Sequence, residues 1–132
     1  MFDYSFFALL FLVATSLAPT GATTVTLENT HHPEQRMIWT RGEDGRWAMT
    51  INGRDMGHFS REPEAIVHHT GVRAPERFPI RELADRRDLR RDALRVRLIG
   101  ARAPMLRVER EGAALRLVDP TREVLAVPLR LR

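Results

Sequence analysis

Oily and polar residues alternate singly along most of this chain beyond residue 22, and a period of two marks strands that turn one side to a core and the other to water. Thr23 to Glu28 (TTVTLE) is β-branched and alternating, which suits a first strand; the polar, proline-containing NTHHPEQ then interrupts it. Arg36 to Thr40 (RMIWT) and Arg46 to Ile51 (RWAMTI) flank the glycine-bounded RGEDG and read as a hairpin. The next turn signal is sharper. Asn52-Gly53 between apolar runs favours a two-residue type I′ turn, in which both central residues need positive φ. Such a turn sets Ile51 opposite Arg54, Met49 opposite Met56 and Trp47 opposite His58, all on one face.

Between Ser60 and Pro79 the pattern loosens around three prolines, and the short run Ala65 to Val67 predicts a brief strand or turn within a surface loop. The run from Ile80 to Leu94 (IRELADRRDLRRDAL) favours helix, with Glu82 four residues before Arg86. Its apolar stripe, Ile80, Leu83, Ala84 and Leu94, is narrow, so a short helix lying on the sheet is expected. Alternation then returns in Leu94 to Leu98, Leu106 to Glu109, Leu115 to Leu117 and Leu125 to Leu131, separated by the turn signals GARAP, EREG and DPTR. Short connections join antiparallel neighbours, giving a four-stranded meander whose last strand is at an edge or turns Pro128 outward, because proline donates nothing to a ladder. The expected fold is mainly β, a small antiparallel sandwich or barrel of about seven strands with one short helix.

The N-terminus follows a different rule. Phe6 to Ala18 (FFALLFLVATSLA) is apolar except at Thr15 and Ser16. About 13 helical residues rise only roughly 20 Å, short of a bilayer core of about 30 Å. Small residues at Thr20 and Ala22 fit cleavage after Ala22, although the leading MFDYS carries Asp3 and no basic side chain. The organisation expected is residues 1–22 as an export signal, or as an N-terminal anchor if uncleaved, and residues 23–132 as one domain. An export signal would place the protein in the periplasm or outside the cell, with membrane contact only through an uncleaved N-terminus.

Composition removes several chemistries. The chain has 132 residues and no cysteine, and all 21 basic side chains are Arg. Without Lys there is no Walker A loop or Schiff base, and without Cys no disulfide, thiol nucleophile or thiolate metal site. Beyond residue 22 the lone serine is Ser60, outside any G-x-S-x-G setting, and no acid and base can be paired by spacing, so an enzymatic reading has no support. An all-Arg surface suits anions, but the arginines are scattered among 17 acidic residues and the net charge is only +4, as GC-rich codon usage would also give. Asp85, Asp88 and Asp92 thread the Arg86 to Arg102 stretch and no aromatic interleaves, which disfavours nucleic acid.

One constellation has a mechanism attached. Met49, Met56 and His58, with Trp47 beside them, would gather two thioethers and an imidazole, a soft donor set suited to Cu(I), on the Asn-Gly hairpin. In ligand type the set resembles the site of the small periplasmic β-barrel copper carriers, which use His, two Met and a capping Trp; order and spacing here depart from that pattern. The ordinary role of Met and Trp on a strand is core filling, with no cofactor at all. His31-His32 and His68-His69 read as exposed loop histidines, since adjacent side chains in an extended segment point oppositely. The expectation is an exported, non-enzymatic β domain with a binding or envelope-support role, its partner an anionic envelope component or another envelope protein. The alternative is a periplasmic Cu(I) binder.

Overall fold

The structure, a computed structural model, describes residues 4–17, 21–29, 32–86, 95–98, 105–111, 114–118 and 126–130. Helix α1 (Tyr4–Leu17) precedes strands β1 (Thr24–Asn29), β2 (His32–Arg41), β3 (Trp47–Ile51), β4 (Arg54–Arg61), β5 (Ala65–His69) and β6 (Glu76–Pro79). A short helix α2 (Ile80–Ala84) follows, then β7 (Arg95–Leu98), β8 (Met105–Glu111), β9 (Ala114–Val118) and β10 (Ala126–Arg130). The strands pair antiparallel in the order β10-β9-β8-β7-β1-β2-β3-β4-β5-β6. This order has two ends, β10 and β6, so the sheet is not closed into the barrel that strand alternation allowed. Nor do the two β-rich halves pair as separate sheets: β1 joins them edge to edge, with Leu27 opposite both Met37 of β2 and Leu98 of β7.

The C-terminal meander has the predicted connectivity, β7 to β8 to β9 to β10, with Pro128 on the terminal strand. Two elements correct the sequence reading. The interruption expected at NTHHPEQ is instead the beginning of β2 from His32 onward. Within the loop expected from Ser60 to Pro79, the brief strand allowed at Ala65 to Val67 is present and extends to His69 as β5, and a second strand, β6, stands where only loop was expected, because Ala65, Ile66 and Val67 are buried and the ladder continues on both sides of them. Of the helix predicted over residues 80–94, Ile80–Ala84 is observed; residues 87–94 lie outside the described residues.

The turns obey local chemistry. Asn52 and Gly53 have φ of 53° and 80°, the two positive values a type I′ turn requires, and Ile51 pairs with Arg54 as expected. At the β2–β3 turn the Gly42 N–H donates to the Arg46 carbonyl (2.8 Å), and the Arg46 N–H to Asp44 Oδ1 (3.0 Å).

The core explains the shape. Every residue from Phe7 to Ala14 is buried, none more than 8% exposed, so more than two turns of α1 are covered all round. A helix about 10 Å across cannot be covered all round by a flat sheet. The sheet therefore curls into a trough: α1 contacts β1, β4, β5 and α2, and Val108 of β8 joins the same apolar cluster from the far half.

Candidate functional site

Beneath α1 the wall of the trough is built from alternate strand positions. Val25 and Leu27 of β1 lie opposite Trp39 and Met37 of β2, and Trp39 lies opposite Met49 of β3. All five are buried in one cluster with Phe59, Ile66, Ile80 and Leu83. Rings meet the helix directly. Phe11 stacks on Phe59 with centroids 5.6 Å apart and meets Trp47 edge-on at 6.4 Å, while Tyr4 stacks on His68 at 4.2 Å. Each large apolar side chain hidden this way contributes roughly 1.5–3 kcal/mol, and each well-placed ring pair about 0.5–1.5 kcal/mol more.

The helix brings nothing polar along its covered length. Thr15 turns its hydroxyl back to the Phe11 carbonyl (2.8 Å) and Ser16 to the Leu12 carbonyl (2.7 Å), which conceals the two polar groups of its last turn. Trp39, also fully buried in the cluster, has an indole N–H with no acceptor among the described residues. A buried donor left without a partner costs about 1–3 kcal/mol, so α1 is an apolar filling that leaves this donor unanswered.

The four residues of the soft-donor idea are divided by a β-bulge. Thr50 pairs with Asp55, but Ala48 pairs with His58, so Met49 faces two residues, Met56 and Gly57. Gly57 takes the extra position at φ 89°, in the left-handed region, with its N–H on Asp55 Oδ1 (2.9 Å). One inserted residue reverses the faces beyond it. The predicted pairing of Trp47 with His58 is thus corrected: Phe59 takes that place, and His58 is exposed. Met49 and Met56 are buried and Trp47 is half-buried against Phe11. Among the described residues no three His, Asp or Glu side chains gather as metal ligands.

The histidines the sequence placed in a loop sit on β5. His68 is buried, its Nε2–H donating to the Met56 carbonyl (2.8 Å), with its ring between Tyr4 and Phe59, the latter at 4.6 Å. Gly57 makes that contact possible, since a Cβ there would meet His68 Nε2 at 2.7 Å and the His69 carbonyl at 2.8 Å. His69, its neighbour, is half-buried and hydrogen-bonds Ser60 Oγ (2.9 Å). Burial, then the charges of Arg46, His68 and His58, hold its pKa below the ordinary 6.5, against a smaller opposing pull from Asp44. His32 lies on β2, and His31 lies outside the described residues.

Sequence reasoning missed His68, Phe59 and Trp39 as the lining of one surface. The available signal was Gly57 inside an otherwise regular strand, a mark of a bulge or of close backbone approach. Set against protein-family models, curated proteins and solved structures, the chain matches none of them.

Proposed function

We propose that the protein is an exported, non-enzymatic carrier or sequestering domain, and that the trough holds an apolar acyl chain in the place α1 occupies. One observation carries the reading: a segment with the composition of an export signal is covered on every side by the remainder of the chain. Removal of residues 1–22 would uncover a continuous lining of Val25, Leu27, Phe59, Ile66 and Leu83. Contiguous apolar patches beyond a few hundred Å² are rare on soluble monomers and mark binding surfaces. An acyl chain suits such a wall, because it has no backbone polar groups to satisfy. Burying about ten methylenes contributes about 8 kcal/mol before ordering costs, which sets an expected affinity in the micromolar range or weaker.

The test begins with the full coding sequence expressed in an exporting bacterial host. Protein recovered outside the cytoplasm is weighed intact and extracted with organic solvent. The expected result is a chain beginning at Thr23 that releases a stoichiometric acyl lipid. Recovery of a chain that retains residues 4–17 would end the proposal, since α1 would then be permanent core. Tight Cu(I) uptake, abolished by Met49→Ala or Met56→Ala, would instead favour a copper reading carried by the two buried thioethers.

A further inference from the structure

One polar atom in the wall of the trough is left without a bond. Register places the Trp39 indole on the side that meets α1: Trp39 pairs with Met49, Met49 stands two residues from Trp47, Trp47 pairs with Phe59, and Trp47 and Phe59 both touch Phe11. In the sheet β2 has four strands on one side and five on the other, so Trp39 lies at the middle of the wall, away from both edges. The indole is fully buried and its Nε1–H finds no acceptor among the described residues. Its neighbours on that face, Val25 and Met49 across the ladder and Met37 two residues before it, are buried and apolar. Nor does α1 answer it. The hydroxyls of Thr15 and Ser16 are spent on the Phe11 and Leu12 carbonyls, and carbonyls inside a helix are taken by its own N–H groups. Folded chains rarely keep such a donor, which has given up water and received nothing in exchange.

We infer that the ligand of the trough is an acyl chain interrupted by an uncharged carbonyl, as in an acyl ester or an oxo-acyl chain, and that this oxygen accepts the Trp39 Nε1–H. The inference rests on the acyl-chain reading above and adds the polar atom that such a chain carries partway along its length. The donor selects the acceptor. An indole N–H offers one bond and no charge, so a single carbonyl oxygen matches it. A carboxylate at the same depth would be a buried charge beside Val25, Met37 and Met49, none of which can pair with it, and its desolvation costs more than one hydrogen bond returns. A plain hydrocarbon would leave the donor as α1 leaves it. The apolar arms on either side of the carbonyl would lie along the same lining that covers α1.

The protein recovered after export, stripped of lipid, is titrated with dihexyl ketone, hexyl hexanoate and tridecane, chains of equal length that differ only at the centre. Tryptophan fluorescence follows binding, because Trp47 touches the space that α1 fills. The ketone and the ester are expected to bind at least about fivefold tighter than tridecane, the factor one neutral hydrogen bond supplies. In Trp39→Phe that preference should vanish, while Trp47→Phe should keep it. The chain has two tryptophans, so either variant identifies the indole N–H resonances, and the Trp39 resonance should move downfield with the ketone and not with tridecane. Should Trp39→Phe fail to fold, Trp47→Phe gives the same identification and the resonance decides. Equal affinity for ketone, ester and hydrocarbon, a preference that survives Trp39→Phe, or an unmoved Trp39 resonance would overturn the carbonyl assignment while leaving the trough as an acyl site. Absence of binding by every chain would sink both. The tighter of ketone and ester separates an oxo-acyl chain from an acyl ester as the source.

Discussion

Helices α1 and α2 lie against each other and share one apolar cluster, yet they are built on opposite plans. In α2 the buried Ile80, Leu83 and Ala84 alternate with exposed Arg81 and Glu82, so one stripe faces the protein and the other faces water. That is how a resident surface helix divides its side chains. From Phe7 to Ala14 α1 has no water-facing side. Its sequence agrees: the span is apolar around the whole circumference, as in a membrane-inserted or export segment. The difference suggests that α2 belongs to the scaffold and that α1 occupies a space made for something equally apolar.

The largest expected effect separates the two helices. Leu83→Asp puts an unpaired carboxylate into the cluster and should cost several kcal/mol, on the order of 3–5, out of a typical total of about 5–15. Little folded protein should be recovered. Leu10→Ala, equally buried, leaves the export segment apolar and should not change the urea midpoint of the recovered protein at all. In a permanent core the same truncation costs about 2–5 kcal/mol, so a clear drop would identify α1 as scaffold.

A smaller effect tests the bulge that aims the trough wall. Gly57→Ala meets both a left-handed backbone and contacts under 3 Å with His68 and the His69 carbonyl. Strain alone costs about 1–2 kcal/mol, and the contacts add to it, so a loss of about 2 kcal/mol or more is expected by urea denaturation. Gly53→Ala, at φ 80° with open space around its Cβ, should lose only the strain. Equal losses for the two would mean that the close approach of His68 does not matter.

Much of this is legible in the sequence. The type I′ turn, the C-terminal meander and the edge position of Pro128 follow from alternation and turn residues, which act locally. The open sheet did not follow, because period two specifies which side of a strand is buried and not against what. Predicted pairing was right at Ile51 and Arg54 and failed three residues later, where a single extra residue reversed Phe59 and His58. The trough was hidden for another reason. Residues 1–22 have the composition of a leader, and the alternation in the rest of the chain does not specify a concave face with an apolar filling.

The smallest effect concerns His68 and His69, which the strand sends to opposite sides. His68 is buried under Tyr4, while His69 is half-buried beside Ser60, Arg46 and His58. Burial and neighbouring positive charge lower the pKa of His69 in the folded chain, so the unfolded chain takes up its proton at higher pH. Its contribution to stability is therefore complete above about pH 6.5, declines as pH falls through that value toward the lower folded pKa, and is lost below it. Partial exposure keeps the effect small through solvent screening. Urea midpoints at pH 7.5 and pH 5 should differ more for the unaltered protein than for His69→Gln, whose amide can still reach the Ser60 hydroxyl. An identical pH dependence in the two proteins would show that His69 carries no folding-linked proton and that its side of β5 is electrostatically indifferent.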